Sequence, residues 1–220
     1  MFGLAVFGVG IALLIDANLG AAPWDVFHTG VAELTGLAVG QVTIITGVVL
    51  LMLWIPLGET MGLGTILNAV EIGLVVDLVL PVLPEPELLV ARTAMMLGGV
   101  VVIAIGSGLY IGAGLGPGPR DGLMTGFARR GISIRFARTA IELTVLVVGI
   151  ALGGAIGIGT AVFALGIGPL VQFFLPRLRV AERPPASVRA ASERSGVRGT
   201  SRGRRCDAGR SRTPGSARAP

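Results

Sequence analysis

Carboxylates and amides set inside apolar sequence are the residues of this chain best placed to do chemistry. Asn68 and Glu71 stand three apart in one apolar run, hence on one helix face, with Asp77 farther along. An ionisable group at such a depth costs about 3 kcal/mol on insertion scales and is a candidate for holding an ion or solute. The opposing reading is that Glu71 is protonated, or paired with Asn68, only to hold helices together. Asp25 and Asp121 form a second set, each two residues after a proline that follows a glycine break: Gly20 to Pro23, and Gly116 to Pro119. Proline at the first helical position with an acid two residues later starts a helix. Short helices are therefore expected over 23–33 and 119–130, too brief to span a bilayer, with the aspartates capping their free amides. Discontinuous elements of this kind line the substrate sites of inverted-repeat transporters. They serve equally well as self-capped interfacial connectors.

Other chemistries find little material. The chain has one histidine, His28, and one cysteine, Cys206, so neither a histidine-rich nor a cysteine metal cluster is expected. No lysine occurs, so there is no phosphate-binding Gly-x-x-x-x-Gly-Lys-Ser/Thr loop, and Gly112-x-Gly114-x-Gly116 lacks the rest of a dinucleotide fingerprint. No Ser-His, Cys-His or His-Glu-x-x-His arrangement appears. The expectation is a non-enzyme without cofactor or metal. Glu142, four residues after Arg138, suits a helix-end ion pair. Asp16 and His28 read as boundary residues, and Trp24 and Trp54 as membrane-interface anchors.

The elements that must position these residues follow from composition. Of 220 residues, 52% are hydrophobic, 14% are charged and 35 are glycine. A mean hydropathy of +0.81 excludes an ordinary cytosolic globule and indicates a polytopic membrane protein. Six apolar runs can be drawn, over 2–17, 42–57, 65–83, 88–112, 139–154 and 160–175. A secretory signal over residues 1–22 is the competing reading of the first run. Its lack of positive charge, and the recurrence of its pattern deep inside the chain, argue against that reading. Arginines orient the spans: Arg120, Arg129, Arg130, Arg135 and Arg138 lie between the fourth and fifth runs, twelve more follow the sixth, and Arg92 alone falls on the other side. Both termini are therefore expected on the cytoplasmic side of the plasma membrane, and the composition, all arginine and no lysine with abundant alanine, glycine, valine and proline, points to a bacterial one.

The two Gly-Pro-Asp segments belong to an internal duplication. Leu19-Gly20-Ala21-Ala22-Pro23-Trp24-Asp25 aligns with Leu115-Gly116-Pro117-Gly118-Pro119-Arg120-Asp121, as do Gly10 with Gly106, Thr29 with Thr125, Gly30 with Gly126 and Thr43 with Thr139. Farther on, Gly62-Leu63-Gly64-Thr65 aligns with Gly157-Ile158-Gly159-Thr160. Three spans per unit would insert the second unit upside down relative to the first. The expected fold is an all-α membrane protein of about six transmembrane helices, arranged as two inverted three-helix repeats, with short broken or interfacial helices. Residues 1–86 form the first repeat, 87–178 the second, and 179–220 an arginine-rich tail. The tail's composition predicts a disordered cytoplasmic extension without specific nucleic-acid binding. Glycines at four-residue spacing, such as Gly118-Gly122-Gly126, predict close helix approach within or between chains.

The run from Gly112 to Gly126, with Leu19 to Asp25 before it and Arg138 to Leu143 and Gly157 to Thr160 after it, resembles the YczE/YyaS/YitT family of bacterial integral membrane proteins. The resemblance covers about residues 1–178 and is nearest the YczE-like branch. It implies a multi-pass membrane protein and transfers no catalytic residue. Two functions remain open: a small-solute or ion transporter using Asp25, Asn68, Glu71 and Asp121, or a membrane scaffold supporting another complex. The expected partners are the lipid bilayer, an unknown solute or ion, and either a second copy or another membrane protein.

Overall fold

Prolines open the short helices of this chain and left-handed glycines close others. The computed structural model describes residues 1–178 apart from 85, 115 and 117. The tail, and the Leu115 and Pro117 positions of the motif, lie outside the described residues. In order the helices are α1 (Phe2–Asp16), α2 (Pro23–Thr35), α3 (Val39–Leu57), α4 (Leu63–Val79), α5 (Leu89–Gly112), α6 (Pro119–Arg129), α7 (Ile134–Ala151) and α8 (Ile158–Leu178). A 3-10 turn, Leu80–Val82, extends α4, and no strand occurs among the described residues. Pro23 and Pro119 occupy the first turns of α2 and α6, where their missing N–H is no loss. Gly36 and Gly58 end α2 and α3 at φ 72° and 70°.

Among the described residues, four elements are long and apolar enough to cross a membrane: α3, α4 with its turn, α5 and α8. Two of the six expected runs fall on helices that are less suited. α1 is apolar but has 15 residues, about 22 Å at the helical rise. α7 has 18 residues but carries Arg135, Arg138 and Glu142 in its first half.

α1 and α5 form the centre and run antiparallel. A Cβ placed on Gly10 would meet Ile103 N at 2.8 Å, and one on Gly106 would meet Phe7 N at 2.6 Å. Gly3 likewise abuts Leu109 and Tyr110, and Gly99 abuts Leu13 and Leu14. Small residues let the two backbones touch, which is how helices gain contact where lipid offers no hydrophobic drive. Ile11, Leu14, Val76, Val100 and Ile103 fill the core around this seam. Arg92 fixes its end, donating from Nε to Ala17 O at 2.9 Å and from Nη2 to Asn18 O. α4 packs on α1, α8 on α5, α2 on α7 and α6 on α3.

α3 also seals against α4. Gly40 and Gly73 meet backbone to backbone, and Gly40 N donates to Asp77 Oδ1 at 2.5 Å, so Asp77 satisfies an open amide of the α3 first turn. No comparable packing joins α7 to α8 among the described residues.

Two expectations need correction. Trp24 and Trp54 are buried and do not anchor a membrane interface. Trp54 Nε1 donates to Pro119 O at 2.9 Å, and its ring occupies the space a side chain at Gly122 would need. Asp25 and Asp121 make no side-chain cap bond: the caps fall at Ala22 and Gly118, and each aspartate sits three positions inside, turned toward other partners.

Candidate functional site

The two glycine breaks bring the short helices to the middle of the bundle. Gly20 and Gly116 have φ values of 104° and 114°, a left-handed backbone that side chains resist. Each break rests on a helix start from the other half of the chain. Gly20 abuts Gly157, with Gly159 N donating to Leu19 O at 2.8 Å, and Gly116 abuts Gly62 and Thr65. The first turns of α2 and α6, at Pro23–Trp24 and Pro119–Asp121, thereby face one cavity of about 560 Å³.

Asn68 of α4, Ser107 and Tyr110 of α5, and Phe163 and Gln172 of α8 line the same space. Arg138 and Glu142 of α7 stand at its edge, joined by an ion pair with Nε–Oε1 3.0 Å, as their four-residue spacing predicts. A second, smaller hollow of about 330 Å³ runs between α7 and α8 and shares Pro23, Glu142 and Ala164 with the first.

Two deeply buried polar groups lie beside this cavity. Asp25 and His28, one helical turn apart on α2, are 2% and 1% exposed. Asp25 Oδ1 lies 3.7 Å from His28 Nδ1 and 4.0 Å from Arg120 Nη2, and has no hydrogen bond. His28 Nδ1 lies 3.2 Å from Thr43 Oγ1, whose hydroxyl donates to Val39 O at 2.9 Å. With its one proton committed there, Thr43 can only accept from His28, which places the imidazole proton on Nδ1. Nε2 then carries a lone pair, and it has no partner. The Arg120 guanidinium lies over the Trp24 ring, 5.0 Å from its centroid. Asp121 Oδ2 accepts from Tyr110 Oη at 3.3 Å.

Of the residues picked out in the sequence, Asn68 and Asp121 line the cavity and Asp25 stands behind its wall. Glu71 is set apart, 3.8 Å from the Met1 amino nitrogen, so the face it shares with Asn68 does not bring both to one site. Gly20, Pro23, Gly116 and Pro119 form the breaks themselves. Sequence reasoning missed His28, Thr43, Tyr110 and Arg120. The offset that aligned Asp25 with Asp121 also set Trp24 opposite Arg120, and that pairing was the available signal. Among the described residues, no three His, Cys, Asp or Glu gather as a metal site would require.

Membrane-length apolar helices around a partly polar cavity define a helical membrane protein. The chain belongs to the family described as "Family of unknown function (DUF6198)", whose model matches residues 1–176. An uncharacterized protein of Haemophilus influenzae is 38% identical over 176 residues, covering 80% of this chain and 81% of its own. The uncharacterized membrane protein YczE of Bacillus subtilis is 35% identical over 178 residues, covering 80% of this chain and 83% of its own. The uncharacterized protein YyaS of Bacillus subtilis is 30% identical over 182 residues, covering 79% of this chain and 89% of its own. The resemblance carried by the Gly-Pro-Asp motif thus holds for YczE and YyaS. No solved structure gives a significant match.

Proposed function

We propose that this protein moves a small solute or ion through a cavity formed between two inverted repeats. The observation that carries the reading is a set of paired contacts between the halves. At the offset that aligns Pro23 with Pro119, the contact of Gly10 with Ile103 becomes that of Gly106 with Phe7, and Gly3 on Leu109 becomes Gly99 on Leu13. Gly30 against Leu152 has its counterpart in Gly126 against Leu57, and Gly20 against Gly157 in Gly116 against Gly62. Corresponding helices α1 and α5 run antiparallel, as upside-down repeats require. In this reading α1, α3 and α4 cross in one half and α5, α7 and α8 in the other, with both termini cytoplasmic.

The halves differ at one seam. Gly40 and Gly47 bring α3 onto α4, whereas the offset that pairs Thr43 with Thr139 sets Phe136 and Leu143 opposite them on α7, too large for the same approach. One seam is packed and the other is not, an asymmetry that fits one state of an alternating-access cycle.

Uptake into proteoliposomes tests the proposal, using a panel of inorganic cations, amines, amino acids and organic acids, with Asp25, Glu71 and Asp121 replaced singly. Transport of one class that falls with Asp25→Asn or Asp121→Asn, and persists in Glu71→Gln, is the expected result. No uptake of any class would overturn it. The large exposed faces of α7 and α8, where only Ala137, Gly149, Gly159 and Thr160 are buried, favour a second reading as a scaffold for another membrane protein. Crosslinking to a stoichiometric partner would support that reading.

A further inference from the structure

We infer that the central cavity binds a primary ammonium group, as an amine or an amino acid carries; this rests on the proposal that the cavity is the solute site. His28, which lines the cavity, has a buried Nε2 without a hydrogen-bond partner, and Asp25 Oδ1, behind the wall and 4.0 Å from Arg120 Nη2, also has no hydrogen bond; both are acceptors. Nε2 is an acceptor because Thr43 holds the imidazole proton on Nδ1. A buried acceptor left open costs free energy, and a ligand presenting N–H donors relieves that cost.

The charges point the same way. The charged residues that line the cavity, Arg120, Arg138, Asp121 and Glu142, balance, and Asp25 behind the wall adds one negative charge. Arg138 is tied to Glu142, and Arg120 sits between the Trp24 face and Asp25. The positive ends of α2 and α6 do not make an anion site, because Asp25 and Asp121 stand in those first turns and offset them. Tyr110 Oη donates to Asp121 across 3.3 Å, a long bond that leaves the carboxylate free to accept from a bound ammonium.

Titration calorimetry of the full chain in lipid nanodiscs, with empty nanodiscs as baseline, provides the test. Three probes of similar size are compared at neutral pH: n-butylammonium, N,N,N-trimethylbutylammonium and butyrate. The first should bind saturably, the second should bind about tenfold or more weakly because it has the charge without N–H donors, and butyrate should not bind. His28→Phe should weaken n-butylammonium about tenfold and leave the quaternary probe unchanged. If His28→Phe does not fold, Asp121→Asn is the second variant: by removing a lining carboxylate it should weaken both cations, n-butylammonium the more. Equal affinity for both cations, preference for butyrate, or no saturable binding would each overturn the inference. L-alanine and ethanolamine then distinguish amino acids from amines. Binding of n-butylammonium without uptake would leave this site standing and remove the transport reading. Uptake of other solutes without ammonium binding would do the reverse.

Discussion

Adding one methyl group at the seam between α1 and α5 tests both the packing and the repeat. A Cβ on Gly10 would stand 2.8 Å from Ile103 N and 3.0 Å from Gly99 O, and one on Gly106 would stand 2.6 Å from Phe7 N and 2.8 Å from Phe7 Cα. Ordinary carbon contacts begin near about 3.5 Å, so in either variant the helices must part by roughly 0.5–1 Å. Overpacking of this kind costs about 1–3 kcal/mol, against a helix-propensity gain for alanine of about 0.5–1 kcal/mol. Gly98, on the same helix, has nothing within 4 Å of its would-be Cβ and serves as the control. In thermal unfolding at fixed lipid and detergent, Gly10→Ala and Gly106→Ala should each lose about 1–2 kcal/mol and match one another, while Gly98→Ala should gain slightly. The double variant should lose less than the sum, because the first methyl already opens the seam the second needs. If Gly10→Ala and Gly106→Ala prove as stable as Gly98→Ala, the antiparallel contact is wrong. If only one is destabilised, the pairing of the two halves is wrong.

Other outcomes follow from single contacts. Trp54→Phe removes the donor to Pro119 O and should cost about 0.5–1.5 kcal/mol in the same unfolding assay, the net worth of one hydrogen bond, since Pro119 O keeps its bond within α6. A change within error would mean that the start of α6 is held by something else. Arg138→Ala breaks the pair with Glu142, but Arg138 is 58% exposed, so stability should change by less than about 0.5 kcal/mol. A larger loss would place the pair inside the protein's core packing.

Much of the helical pattern was open to reading from sequence because its signals are local. Proline marked the first turns of α2 and α6, and long apolar runs marked α3, α4, α5 and α8. The site was less legible. A lone His28 and two tryptophans near helix ends carry the same local signature whether they face lipid headgroups or a packed interior. Only tertiary contacts decide: Trp54 meets a residue of the second half, Pro119, and His28 meets Thr43 on the next helix. The aspartates were placed correctly at helix starts but given the wrong partners, because three positions inside the cap a carboxylate can turn outward toward another helix. Asn68 and Glu71 share a face, yet a face spans wide enough for one to reach the cavity and the other to miss it.

The bond from Gly159 N to Leu19 O joins the beginning of α8 to the break after α1. A ribosome releases Leu19 long before Gly159 exists, so the first break must wait, its carbonyl unmatched, through the synthesis of six intervening helices. The last helix therefore completes the break after the first, and the chain up to α4 made on its own lacks the partner that fixes this bend. This one bend is thus fixed only when the last helix arrives.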